Sequence, residues 1–491
     1  MTYRIESDCL GDMKISNELY YGIQTSRAIN NFPVSGQTMR EYISFIESFV
    51  QIKKAAAMTN YDIGILDAAV AKAICDAADE ILNGRFRDQF PIDIFQGGGF
   101  TSTNMNVNEV IANRANELLT GTKGYTAVHP NDHVNMAQST NDVTPAAMLL
   151  TCYKHANELL DAIQHLEEEL QLKVQQYSNV VKVSRTCLQD AVPITLGQQF
   201  SGYASVVSRH ISLLEKIKPI FTMVPLGATA AGTGLGIHPG YKEKIAQHLS
   251  IVMGFEVSIT ENMFDALQNS DHYVQLSGLL KSFALCLGKV AADFRLMSSG
   301  PRAGFNEITL PAVQPGSSIM PGKINPVMPE MINQICYQVC GNDYVITLAV
   351  ERGELDLNVW EPSIVKSLTE SFKILTNGTK IFVDKCIKGL VPNIEVCQKH
   401  AENSLAIATV ISAIFDYNTG VKVAKEAFVT GNSVKDVVVR NGLLSEKEAS
   451  MLLDPLMLTD PDKSSKLLSQ ARKGQIMESN RLMDVHQNDK S

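Results

Sequence analysis

A chain of 491 residues has room for about three domains at ~150 residues each, and with 45% hydrophobic and 19% charged residues it has the composition of a folded chain. Lys and Arg number 43 against 52 Asp and Glu, a net charge of −9 with no basic run longer than a residue or two, which argues against nucleic acid and anionic membrane as partners. A small anionic substrate stays compatible, because a pocket can be locally positive inside an acidic protein.

The opening MTYRIESDCLGDMKI has no apolar segment suited to a signal peptide, and no ~18-residue uninterrupted apolar stretch follows, so the expectation is a cytoplasmic chain without a membrane span. Helical periodicity from Glu41 to Leu82 gives way to loops rich in Gly, Asn and Pro. From Pro145 to Val180 apolar residues recur at helical spacing (Leu149, Leu160, Ile163, Leu166, Leu170, Val174), and again from Leu196 to Lys218 (Val206, Val207, Ile211, Leu214, Ile217). Similar runs cover Ser258 to Ser299 and Pro326 to Val350. Helices of this length imply a bundle whose members cover one another. After Lys388 the pattern breaks into shorter helices at Val421 to Thr430 and Ser433 to Asn441, then LLSEKEASMLL, where Ser445 and Glu448 have capping-box spacing. The polar end MESNRLMDVHQNDKS is expected to fray. Little of the chain alternates with period two, so the reading is all-α. It comprises a mixed, mostly helical domain over 1–138, a long-helix bundle over 139–395 and a small helical domain over 396–491. The nine cysteines are scattered, without a CxxC pair, which suits a reducing compartment; Cys336 and Cys340 read as small buried apolar residues.

Four polar stretches interrupt or border the helices: QGGGFTSTNMNVNE (96–109), HPNDHVNMAQSTND (129–142), SRTCLQDAVPITLGQ (184–198) and GSSIMPGKINP (316–326). Taken singly, such residues are helix N-caps. Hydroxyls, amides and helix N-termini brought together make an anion site. The last stretch is no phosphate loop, because five residues separate Gly316 from Gly322 and Ile324 stands where Ser or Thr is required. His129 and His133 have the spacing of a zinc pair, but Pro130 disfavours a helix there and no Cys or Glu cluster accompanies them, so no metal is expected. What is left is a Gly-bounded, mobile loop whose serines lie near Lys323, a compact charge suited to a carboxylate.

Gly316 to Pro326 matches the signature G-S-S-x-M-P-x-K-x-N-P of the aspartase/fumarase superfamily at every fixed position, and the chain resembles that superfamily over nearly its whole length. YYGIQTSRAINNFPVSG, RLMSSGPRAGFNEITLPAVQ and AVERGELDLNVWEP look most like the aspartate ammonia-lyases, whereas VHPNDHVN and TSTNMNVNEVIANRA are equally fumarase-like. The resemblance implies a three-domain all-α fold with a central bundle, tetramerising into a multi-helix core, with each active site built from three subunits. It also implies reversible anti elimination of ammonia from L-aspartate to give fumarate, with no cofactor. Removing a proton beside a carboxylate makes an aci-carboxylate with a second negative charge, so several fixed donors are needed, each worth about 3–4 kcal/mol. By resemblance these are Thr101, Ser139, Thr140 and Ser318; Lys323, Asn325 and Thr186 hold the other carboxylate, and Asn141 receives the amino group. Ser317 would be the base, on a loop that closes over the substrate, and Cys187 would border the substrate.

Three positions depart from the pattern. Cys187 stands where many relatives have His and some Gln, so Glu330, which matches the glutamate paired with that His, lacks its usual partner. Phe100 replaces a Gly before Thr101 and would narrow the pocket unless it turns away, and Gly236 replaces an Asn. The alternatives are a class II fumarase, a divergent lyase acting on a substituted aspartate or related dicarboxylate, and a non-catalytic relative that keeps the scaffold.

Overall fold

The computed structural model describes residues 2–488, with side chains described through residue 474. The chain is 64% helical, and the all-α expectation holds. The long helices include Thr140–Gln176, Leu196–Ile217, Asp271–Met297, Val327–Glu351 and Glu361–Phe382. Their apolar stripes face inward as the periodicity requires, with Leu149, Leu160, Ile163, Leu166 and Leu170 all buried along the first. The strands form two hairpins, Tyr3–Asp8 with Gly11–Ser16 and Val181–Thr186 with Gln189–Thr195, besides two-residue pairs.

Where the periodic runs proved too long, local chemistry ends the helices. The run 41–82 is two helices, Ile43–Asp62 and Ala68–Leu82, because Gly64 turns the chain at φ 80° and Asp67 caps the second by accepting the N–H groups of Ala69 and Val70. The run 258–299 is divided likewise: Asn262 caps a short helix, Met263–Gln268, before Asp271–Met297 begins. Pro130–Val134 is a helical turn after all, with the proline at its first position, where a missing N–H is tolerated. In the C-terminal region Ser445 accepts the Glu448 N–H and Glu448 accepts that of Ser445 at 2.8 Å, the expected capping box. The polar end expected to fray is helical to Asn488, and residues 489–491 lie outside the described residues.

The chain divides into two compact units, one of 1–162, 210–285 and 334–377, the other of 163–209, 286–333 and 378–491. In the first, Phe45 meets Phe49 and Phe100 with ring centroids 5.0 Å away in each case. In the second, Phe294 packs between Phe200 and Phe382 with tilted rings, centroids 5.6 and 5.7 Å away, and Ile411, Val437, Val438 and Leu452 form a separate C-terminal core.

Helix Val327–Glu351 is apolar on two faces. Ile332, Cys336, Val339 and Ile346 are buried, whereas Tyr337, Tyr344, Val345 and Leu348 are exposed. Among the described residues one helix, Asp271–Met297, is long and apolar enough to cross a membrane by length and composition; half of its most apolar window is buried, as in core helices that meet the same criterion.

Candidate active site

The glycines of QGGGFTST make the turn into helix Thr101–Thr120: Gly98, Gly99 and Phe100 all have positive φ, and a Cβ on Gly99 would lie 3.0 Å from Glu361 Oε2. Phe100 pays backbone strain for this conformation. Its ring is fully buried against Phe45, so it turns away from Thr101 into the core and does not project across it. Thr101 is exposed at the first position of its helix, with Oγ1 donating to the Gly98 carbonyl at 2.8 Å.

Ser139, Thr140 and Asn141 are half-buried at the N-terminus of the 37-residue helix. Ser139 Oγ accepts the Asn141 N–H at 3.2 Å, and Thr140 Oγ1 accepts from Asn104 Nδ2 at 3.2 Å, which ties this N-terminus to the helix that starts at Thr101. Beneath them lies a polar network that the sequence reading missed. Asn104, Asn108 and Lys53 all donate to Asn135 Oδ1, at 3.2, 3.1 and 2.8 Å. Burial pushes the Lys53 ammonium down to about 7, against the attraction of Asp142. Asp142 is also fully buried: Oδ1 accepts the Ser139 N–H at 2.9 Å, and Oδ2 accepts those of Gly227 and Thr229 at 3.1 and 3.0 Å. The one signal for this network was a charge in the apolar run FVQIKKAAAM.

Thr186 and Cys187 sit exposed at the tip of the second hairpin. Cys187 and Leu188 both have positive φ, 53° and 59°, as a two-residue turn between right-twisted strands demands. No Asn-Gly pair marks that turn, which is why the stretch read as a loop. Its base is anchored by Glu307, which has no exposed surface: Arg185 Nη1 donates to Oε1 at 2.7 Å, and Lys182 Nζ approaches Oε2 at 3.2 Å as an ion pair without hydrogen-bond alignment. The Arg185 guanidinium also lies over the Phe305 ring at 4.2 Å.

In the loop 316–326 the neck is closed from both sides. Gly316 N–H donates to the Lys323 carbonyl and Asn325 Nδ2 to the Gly316 carbonyl, both at 2.8 Å. A Cβ at 316 would stand 2.5 Å from the Lys323 oxygen, so only glycine fits. Ser317 Oγ accepts the N–H groups of Ile319 and Met320 at 3.2 and 3.0 Å. Ser318 and Lys323 are exposed, Asn325 is half-buried, and Glu330 is half-buried in the first turn of the following helix. Among the described residues Lys323 makes no ion pair, so its charge is uncommitted.

Thr101, Ser139, Thr140 and Asn141 belong to the first unit; Thr186, Cys187, Ser317, Ser318, Lys323, Asn325 and Glu330 belong to the second. The first set offers hydroxyls and helix N-termini. The second offers a hydroxyl oxygen that accepts two N–H groups, in a loop that also carries the exposed Lys323.

A family model described as Lyase matches residues 11–341, and one described as the fumarase C C-terminus matches residues 407–460. The chain is 44% identical over 467 residues to a protein of Bacillus subtilis (strain 168) named aspartate ammonia-lyase, covering 95% of this chain and 98% of that one. Among solved structures it is similar to a fumarate lyase:delta crystallin from Brucella melitensis bound to cobalt, with TM-score 0.91, 42% identity, and 94% and 100% of the two chains covered. It is also similar to a recombinant class II fumarase from Schistosoma mansoni, with TM-score 0.90, 35% identity, and again 94% and 100% covered.

Proposed function

Because the chain belongs to this lyase family, the aspartase/fumarase superfamily, we propose that it eliminates ammonia from L-aspartate, reversibly and with anti geometry, to give fumarate. One observation carries the chemistry: Ser317 Oγ accepts two backbone N–H groups in a loop closed by Gly316 and Lys323. Serine is far too weak an acid to be a base unaided. Hydrogen bonds to the oxygen favour its charged form, and so would the Lys323 charge brought beside it; loop closure, by excluding water, costs the alkoxide its hydration but strengthens both of these interactions.

The step then balances. The Ser317 alkoxide takes the C3 proton, and the electron pair left behind enters the adjacent carboxylate as an aci-carboxylate. Donors at Thr101, Ser139, Thr140 and Ser318 stabilise that second charge. Its collapse forms the C2–C3 double bond and expels ammonia with the C–N electron pair from beside Asn141, while Lys323, Asn325 and Thr186 hold the other carboxylate. Cys187 borders this substrate, and Glu330 supports the groups around it.

The choice of an amine leaving group is supported by 44% identity to a relative named aspartate ammonia-lyase against 35% to a class II fumarase. A homotetramer with sites shared by three subunits is part of the same reading, supported by the exposed apolar face of Val327–Glu351. So is a cytoplasmic setting, supported by nine cysteines none of which forms a disulfide among the described residues.

Purified protein given L-aspartate should release fumarate and ammonia in equal amounts, and Ser317→Ala should lower kcat by at least about 10³-fold with the assembly unchanged. Hydration of fumarate to malate without turnover of aspartate would replace this reading with fumarase. Undiminished turnover in Ser317→Ala would remove the serine from its role.

A further inference from the structure

Resting on the ammonia-lyase reading, we propose that Asp142 is a positioning residue for the amino group: through the segment 227–230 it fixes the amide of Asn141 so that Oδ1, and not Nδ2, is presented to the substrate.

The argument starts from the amide. Asn141 Nδ2 donates to the Ala230 carbonyl at 2.8 Å. A carbonyl oxygen only accepts, so this contact decides which end of the amide faces which way. Oδ1, an acceptor, is left on the opposite side. A substrate ammonium has three donors and no acceptor, so a flipped amide would meet it donor to donor.

The Ala230 carbonyl in turn depends on its neighbours. Thr229 is β-branched yet has φ 55°, in the left-handed region that costs such a residue strain. Its own side chain does not hold it there, since Thr229 is buried and its Oγ1 has no hydrogen-bond partner among the described residues. The restraint is Asp142 Oδ2, which accepts the N–H groups on both sides of Ala228. Charge-assisted bonds of this kind are roughly twice as strong as neutral ones. The other oxygen, Oδ1, accepts the Ser139 N–H, so one carboxylate aligns the start of the Asn141 helix and the segment that orients the Asn141 amide. Burial raises the Asp142 carboxyl to about 6, with the three N–H groups and Lys53 opposing, so it is ionised at neutral pH, as the clamp requires.

The reverse reaction tests this, because fumarate and ammonium have separate Michaelis constants. In Asp142→Asn one of the two acceptor atoms becomes a donor, and KM for ammonium should rise roughly tenfold or more while KM for fumarate moves by less than about twofold. Thr229→Gly adopts the same φ without strain and keeps both N–H groups. It should fold whatever happens to Asp142→Asn, and by loosening the Ala230 carbonyl it should raise KM for ammonium alone, by about threefold. A parallel rise in both constants, or no change in either, would mean that Asp142 merely caps a helix and would overturn the inference. If the wild-type protein does not aminate fumarate at all, the ammonia-lyase reading fails and takes this inference with it.

Discussion

Asp142 has opposite consequences for stability and for activity as the pH changes. Burial raises its carboxyl from an ordinary 3.8 to about 6, against the Ser139, Thr229 and Gly227 N–H groups and the Lys53 ammonium, and the buried Tyr241 hydroxyl is the other titratable group it influences. Between those values the native chain holds a proton that the unfolded chain has released. The contribution of this group to stability is therefore full below the unfolded value and is lost as pH rises through about 6. Activity needs the carboxylate, so kcat/KM for ammonium should fall as pH drops through about 6 while the fold gains from the same protonation. A pH profile of fumarate amination beside a thermal melt at each pH separates the two: loss of rate with a falling Tm would point to acid unfolding instead. At this scale the sequence offers candidates where a short motif marks them, as at Ser317 and Lys323. It was silent on Asp142, Lys53 and Glu307, because their partners come from far along the chain; Asp142 meets Thr229 and Glu307 meets Arg185.

The turns between elements decide more of the site than the helices do. Periodicity placed Leu196–Ile217 and Val327–Glu351 closely and Thr140–Gln176 nearly so, since a 3.6-residue stripe leaves a strong signal, but it did not single out Glu361–Phe382. It missed their ends at Gly64 and Asn262, which are set by single residues, and the hairpin at Cys187 and Leu188, whose left-handed turn is built without glycine. Phe100 illustrates the same limit: its type suggested a narrowed pocket unless the ring turned away, and its left-handed backbone sends the ring into the core. In the loop, by contrast, Gly316 is required by geometry. Gly316→Ala would put a Cβ 2.5 Å from the Lys323 oxygen and open the neck. Because the loop is largely exposed, stability should change by less than about 1 kcal/mol, whereas displacing Ser317 relative to Lys323 should lower kcat by about 10²-fold. Denaturant titration and initial rates on one preparation check both; wild-type rates would mean that the neck is not needed for catalysis.

For the whole molecule the telling feature is the second apolar face of Val327–Glu351. Tyr337, Tyr344, Val345 and Leu348 are exposed on a helix whose opposite side is already buried in its own chain. Periodicity could show that this helix was apolar, but not that a single chain would leave one face uncovered. If copies of the chain pack on that face, Leu348→Glu should yield folded subunits of 53.8 kDa in place of tetramers, by sedimentation, and turnover should vanish with the assembly. Full activity in the dissociated chain would mean that the site is complete within one subunit. The central claim, proton transfer at a carbon beside a carboxylate by Ser317, is tested most directly by incubating fumarate and ammonium in D2O and reading the aspartate by NMR. The expected product carries one deuterium at C3, placed anti to the new amino group, and Ser317→Ala forms none. Deuterium on the syn face, or the same labelled product at undiminished rate from Ser317→Ala, would contradict it.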